Sequence, residues 1–160
     1  MGRMSEFSFG VRAMLKLYRW RTIDPVPWAV PDKPLSDCRL GLVSSAGLVL
    51  PDQEPFDDSV KGGDWSMRTI PSGADPQVLI ESHRSESFDR SGLEADKNLV
   101  FPLDRFREME REGAIASLAP RALSVMGSIT APGRLVKHTA PQAAEMFLED
   151  GVDVAFLVPV

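Results

Sequence analysis

A chain of 160 residues, 43% hydrophobic and 26% charged, is long enough for a hydrophobic core without disulfides and has the composition of a globular protein. The net charge of −5 is unevenly placed: Arg3, Arg12, Lys16, Arg19 and Arg21 against Glu6 give residues 1–21 a net +4 and leave −9 on the remainder. That acidic body argues against nucleic acid as the main ligand, because phosphate binding needs a concentrated basic surface.

No stretch reaches the roughly 18 apolar residues of a membrane span, so no membrane insertion is expected. "MGRMSEFSFG" has no signal-peptide core, since Ser5, Glu6 and Ser8 interrupt it. Glu6 stands where myristoylation needs Ser or Thr. A single cysteine, Cys38, excludes an internal disulfide framework and a Cys-rich zinc site, and the reading is a protein of the reducing cytoplasm.

In chain order, Phe7, Val11, Met14, Leu15 and Tyr18 share one helical stripe, which predicts an amphipathic helix over 5–20 with Lys16 and Arg19 outside. The basic segment 1–21 could touch an acidic partner or a membrane, but a solvated helix face is the plainer reading. "DPVPWAVPDKP" follows, with four prolines in eleven residues. Proline fixes φ and cannot donate, so 22–38 reads as an extended strap anchored by Trp28. Residues 39–160 form the core of what reads as one domain over 1–160.

"CRLGLVSSAGLVLP" opens that core, with a strand at Arg39 to Val43 broken by "SSAG" before a second short apolar run. From Pro51 to Pro76 the chain is polar and rich in Gly, Asp and Pro, with a short strand expected at "SMRTI". "QVLIESH" predicts a strand from Gln77 to Ser82, running into the polar loop "RSESFDRSGLEADKN". In "PLDRFREMEREG", Leu103, Phe106 and Met109 share a helix face, with Pro102 in the first turn and Gly113 at the stop. "RALSVMGSI" reads as a further strand or a mixed segment. In "TAPQAAEMFLEDG", Thr139 and Gln142 make a capping box, Ala140, Ala143, Ala144, Phe147 and Leu148 the stripe, and Gly151 the C-cap. "VDVAFLVPV" is apolar enough to be a central strand of a parallel sheet. The fold class is therefore α/β, an open and mostly parallel sheet with flanking helices in Rossmann-like or flavodoxin-like layering.

In such sheets ligands bind beyond the carboxyl ends of the strands. Ser44, Ser45 and Gly47 of "SSAG" offer hydroxyls, backbone N–H groups and little bulk, which suits a small polar substrate, and Gly127 in "MGSITAPG" suits close backbone approach. "SSAG" matches neither G-x-G-x-x-G nor a phosphate loop, and small residues at a tight strand exit explain it about as well. His83, with Asp89 six residues on and Ser82, Ser85 and Ser87 nearby, is the candidate for acid–base work; a structural histidine closing the loop is the plainer reading. His138 reads as an exposed loop residue, Ser128 has no evident base, and Cys38 reads as a buried structural thiol. No cofactor is implied. A metal-assisted enzyme built on His83 and nearby carboxylates is a third and thinly supported reading.

Several stretches resemble the selenoprotein B family of glycine, sarcosine, betaine and D-proline reductases, especially its short single-domain bacterial relatives. They are "RLGLVSSAGLVLP", "GDWSMRTIP", "ESHRSESFDRSGLEADKNLVFPLDRFREMEREGAIASLAPRALSVMG" and "AAEMFLEDGVDVAFLVPV". The resemblance covers most of the chain from Arg39 onward; the N-terminal helix and strap are less distinctive. It implies a strand over Val152 to Val160 that runs into Cys-x-x-Cys, or selenocysteine in place of the first Cys. The first group attacks the substrate or an enzyme-bound intermediate and the second resolves it.

This sequence stops one residue short of that motif, so a C-terminal part of the fold is expected to be missing. A selenocysteine UGA codon read as stop is the preferred reason, against deliberate shortening or a natural redox-dead relative. The resemblance further implies an oxidoreductase acting on a small molecule, inactive without the motif, and a partner reductase subunit. Family reductases act with pyruvoyl-containing subunits, and the N-terminal helix is the expected docking element. The alternative is a non-catalytic small-molecule-binding or assembly module. An open strand edge predicts a homo-oligomer.

Overall fold

The computed structural model describes residues 8–18, 22–27, 29–85 and 90–160. The chain divides into two compact units, Met1–Val30 and Pro31–Val160. In the first, α1 (Phe9–Leu17) starts where the Ser8 hydroxyl accepts the Val11 N–H at 3.5 Å and stops at extended Tyr18. This is the expected amphipathic helix, shorter than 5–20; Phe7, Arg19 and the anchor Trp28 lie outside the described residues.

The second unit is built on β1 (Arg39–Ser44). Its residues from Leu40 to Val43 are apolar or glycine, and it pairs with parallel strands along both edges. β7 (Val154–Val158) runs parallel along one edge, with Leu40 opposite Val154 and Ser44 opposite Val158. The other edge is shared by β5 (Ser117–Leu118), against Arg39 and Leu40, and β6 (Arg121–Val125), against Val43 and Ser44, both parallel. β3 (Met67–Pro71) closes that side antiparallel to β6. A separate antiparallel pair joins β2 (Leu48–Val49) to β4 (Ile80–Glu81). The open, mostly parallel α/β sheet expected from the sequence is present.

Alternation along the strands sorts the two faces. Leu42 and its neighbour Phe156 face α3 (Leu103–Arg111), whose Phe106 meets Phe156 edge-on at 5.2 Å. Leu40, Leu42, Ile70, Phe101, Leu103 and Ile115 belong to one buried cluster. Gly41 faces α4 (Ala140–Glu149); a β-carbon there would lie 3.0 Å from the Phe147 ring and from Val152 Cγ1. That close approach is why glycine occupies the middle of this strand.

Four expectations need correction. Val154–Val158 is a parallel strand but not a central one: β1 is its one neighbour among the described residues, and Ala155, Phe156 and Leu157 are exposed. The segment 77–82 begins as a 3-10 turn at Pro76–Val78, because Pro76 suits a first helical turn, and only Ile80–Glu81 pairs as strand. Part of the expected loop is α2 (Arg90–Ala95), held by buried Leu93.

The fourth concerns Thr139, which caps nothing. The helical run begins at residue 133 and passes through a π-helical turn, Leu135–Thr139, before α4. Pro141 has no N–H for the Lys137 carbonyl, and a wider turn upstream lets the helix continue through it. The Thr139 hydroxyl donates to the Trp65 carbonyl instead. At the other end Gly151 (φ +67°) does cap α4: its N–H reaches the Leu148 carbonyl at 3.1 Å and that of Val152 reaches Phe147 at 2.9 Å.

Candidate functional site

Because β1, β6 and β7 are parallel, their carboxyl ends emerge at one edge of the sheet. Ser45 is the hub of that rim. Its N–H donates to the Val158 carbonyl at 3.0 Å, its carbonyl accepts the Gly127 N–H at 2.8 Å, and its hydroxyl accepts the Val160 N–H at 2.9 Å. The end of β7 is thus fastened to the serine–glycine turn.

Ser44, one residue earlier, points the opposite way. It is fully buried, donates to the Val100 carbonyl at 2.6 Å and accepts the Ala46 N–H at 3.2 Å. Its hydroxyl holds the turn from inside. Gly47 takes φ +67°, donates to the Val125 carbonyl at 3.0 Å and accepts from Ser82 N–H at 2.8 Å. A β-carbon on it would sit 3.3 Å from the His83 backbone, which brings the histidine against the turn. Gly127 is tighter still, with space for a β-carbon closed off by Ser45.

His83 is 7% exposed. Its N–H donates to Glu81 Oε1 at 2.6 Å, and its ring Nδ1 accepts the Ser85 N–H at 3.2 Å, so the neutral ring carries its proton on Nε2. Arg90 Nε pairs with Glu81 Oε2 at 2.8 Å while Arg90 Nη2 donates to the His83 carbonyl at 3.1 Å. Burial pushes the imidazole pKa below its ordinary value; nearby Arg90 acts in the same direction, and Glu81 and Asp58 oppose it without prevailing. The result is an imidazole biased toward its neutral form beside the serine–glycine turn.

Asp89, named with His83 from the sequence, lies outside the described residues. Glu81 and Arg90 were missed, although a carboxylate two residues before a histidine at a strand end shares its face and could have been read from the period of two.

The remaining candidates stand elsewhere. His138 is exposed and meets Trp65 with ring centroids 5.7 Å apart. Ser128 belongs to the loop after β6, where its carbonyl packs on Gly63. Cys38 is buried at the amino end of β1, away from the rim, and its Sγ donates to the Pro34 carbonyl at 3.3 Å. Among the described residues no three His, Cys, Asp or Glu side chains gather as a metal site, and no helix is long and apolar enough to cross a membrane.

The chain is 32% identical over 136 residues to a D-proline reductase subunit gamma of Acetoanaerobium sticklandii, covering 84% of this chain and 54% of that one. It is 31% identical over 144 residues to a sarcosine reductase complex component B subunit beta of Peptoclostridium acidaminophilum, 88% of this chain and 32% of that one. A glycine reductase complex component B subunit gamma of Symbiobacterium thermophilum is 29% identical over 145 residues, again 88% of this chain and 32% of that one. The chain therefore spans about half the length of the first of these relatives and a third of the others. No solved structure matches it significantly. Residues 14–159 match the family described as glycine/sarcosine/betaine reductase selenoprotein B, and with nearly the whole length accounted for, the chain belongs to that family.

Proposed function

We propose that the chain is the rim-bearing part of a reductase that transfers two electrons to a small molecule through a thiol pair or a selenol–thiol pair. The observation that carries this reading is the fastening of Val158 and Val160 to Ser45, where three parallel strands end together. A Cys-x-x-Cys or selenocysteine-x-x-Cys segment continuing from Val160 would start at that rim. The pair gives up two electrons and becomes a disulfide or selenosulfide while the acceptor is reduced.

Ser45 and Gly47 bound the substrate from the turn, Ser44 and Gly127 shape it, and His83, with Asp89, handles protons. The relatives' names describe reductase subunits, the sarcosine and glycine reductase ones as parts of complexes, which supports a partner subunit, with α1 as the docking element. Self-association through the β7 edge belongs to the same proposal, since Phe156 and Leu157 are 47% and 66% exposed there.

The test is the gene beyond the Val160 codon, followed by dithiol-dependent reductase assays of the chain extended through the motif. A cysteine or in-frame UGA codon with x-x-Cys after it, and activity lost when the first group is replaced by serine, are the expected results. A reading frame with neither group sinks the proposal. The rival, a non-catalytic binding or assembly module, draws on one observation: Ser44, Ser45 and Gly47 are already hydrogen-bonded to neighbouring residues of the fold.

A further inference from the structure

Beside the rim, the loop after β6 runs into a second concavity of about 600 Å³. Lys61, Gly63 and Trp65 line it from the loop before β3, and Arg134, Lys137 and His138 from the start of the helical run. No acidic residue lines it, although the chain as a whole has a net charge of −5. The ion pairs among the described residues engage Lys33, Arg90, Arg105, Arg107 and Arg121; none engages Lys61, Arg134 or Lys137. The nearest carboxylate in sequence, Asp64, is turned into its own loop, where it accepts from Asp57 N–H at 2.9 Å and from the Ser66 N–H and hydroxyl at 2.8 and 2.7 Å.

The walls are built to close tolerances. A β-carbon on Gly62 would fall 2.6 Å from Ala131 Cβ, and one on Gly63 would fall 2.7 Å from the Ser128 carbonyl oxygen. The Ala131 N–H donates to the Gly62 carbonyl at 3.0 Å. Lys137 and His138 stand on the π-helical turn, a geometry found disproportionately at functional sites, and Thr139 of the same turn bonds the Trp65 carbonyl. Three uncompensated cations match more than one negative charge, and the indole supplies a flat apolar wall.

We propose that this cleft binds a small organic oxyanion of two negative charges, a phosphomonoester being the type, with Lys61, Arg134 and Lys137 at the charged end and Trp65 against the organic body. A concave site assembled from two segments suits a small ligand better than an extended acidic chain. The inference is independent of the reductase reading, since it uses none of the rim residues.

The test is calorimetric titration of the intact chain at fixed ionic strength with phenyl phosphate, inorganic phosphate and benzoate. Saturable one-to-one binding is expected, with phenyl phosphate tightest and benzoate weakest. An Arg134→Ala/Lys137→Ala variant should lose about tenfold or more, as expected for removing charge-assisted bonds. Trp65→Ala should erase the advantage of phenyl phosphate over inorganic phosphate, and Arg111→Ala, on α3, should change nothing. Should the double variant fold poorly, Lys61→Gln alone provides the same comparison. Absence of saturable binding, equal affinity in the charge variants, or binding of an acidic peptide without phenyl phosphate overturns the proposal.

Discussion

A β-carbon on Gly127 would lie 2.8 Å from the carbonyl oxygen of Ser45 and 3.1 Å from its hydroxyl oxygen. The same carbonyl accepts the Gly127 N–H at 2.8 Å, so the loop after β6 is drawn onto the rim by a bond that only glycine permits.

Gly127→Ala must displace backbone rather than a side-chain tip, and overpacking of this kind costs about 1–3 kcal/mol. A lowered midpoint in urea unfolding is expected, whereas Gly73→Ala, with nothing within 4 Å of the added carbon, should stay close to the parent. Equal midpoints for the two variants would contradict the geometry.

Ser44 and Ser45 should separate stability from function. Ser44→Ala removes a buried donor to the Val100 carbonyl and an acceptor for Ala46 N–H, a loss of about 1–3 kcal/mol. Ser45→Ala loses the bond to Val160 N–H at the partly exposed rim, and the larger effect there is expected on turnover of the motif-extended protein. Thermal melts and reductase assays of both variants check the split.

Burial of His83 sets a pH dependence. Its folded pKa lies below the ordinary imidazole value, so the unfolded chain binds the extra proton first as pH falls. The contribution is fully present above the unfolded pKa of about 6.5 and is lost as pH drops from there through the lower folded value. His83→Gln should flatten the decline in melting temperature between about pH 7.5 and 5.5. An unchanged decline would show that His83 does not titrate across folding.

The edge of β7 makes self-association measurable. Sedimentation velocity should show a species growing with concentration, and Leu157→Lys, which charges an exposed edge position, should return it toward monomer. A monomer at every concentration would count against the proposal.

Much of this architecture was legible in the sequence because local and global signals agree there. β1 is an apolar run ended by small residues, α3 has a clean stripe stopped by Gly113 at φ +71°, and Gly151 sits where a left-handed cap belongs. Other features were not legible, each for a physical reason. Thr139 and Gln142 spell a capping box, yet a tertiary acceptor on Trp65 takes the hydroxyl and a π turn accommodates Pro141. The apolar character of Val154–Val158 reports what a strand can bury, not how many neighbours it has. α2 is short and contains Gly92, so its helicity rests on burying Leu93 rather than on propensity. At the site, the strand's period of two separates inward Ser44 from rim Ser45 and sets Glu81 beside His83, while the approach of Arg90 to both is a tertiary contact that periodicity does not report.

The pairing of Arg39–Ser44 with Val154–Val158 has a kinetic side. The Arg39 N–H reaches the Asp153 carboxylate across a separation of 114 residues, and the parallel ladder beginning beside it cannot form until translation has passed Val158. Contacts so distant along the chain delay the rate-limiting search. Between the synthesis of Ser44 and that of Val158 the flank of β1 that takes β7 stays bare, and a chaperone that shields that flank should raise the yield of native protein.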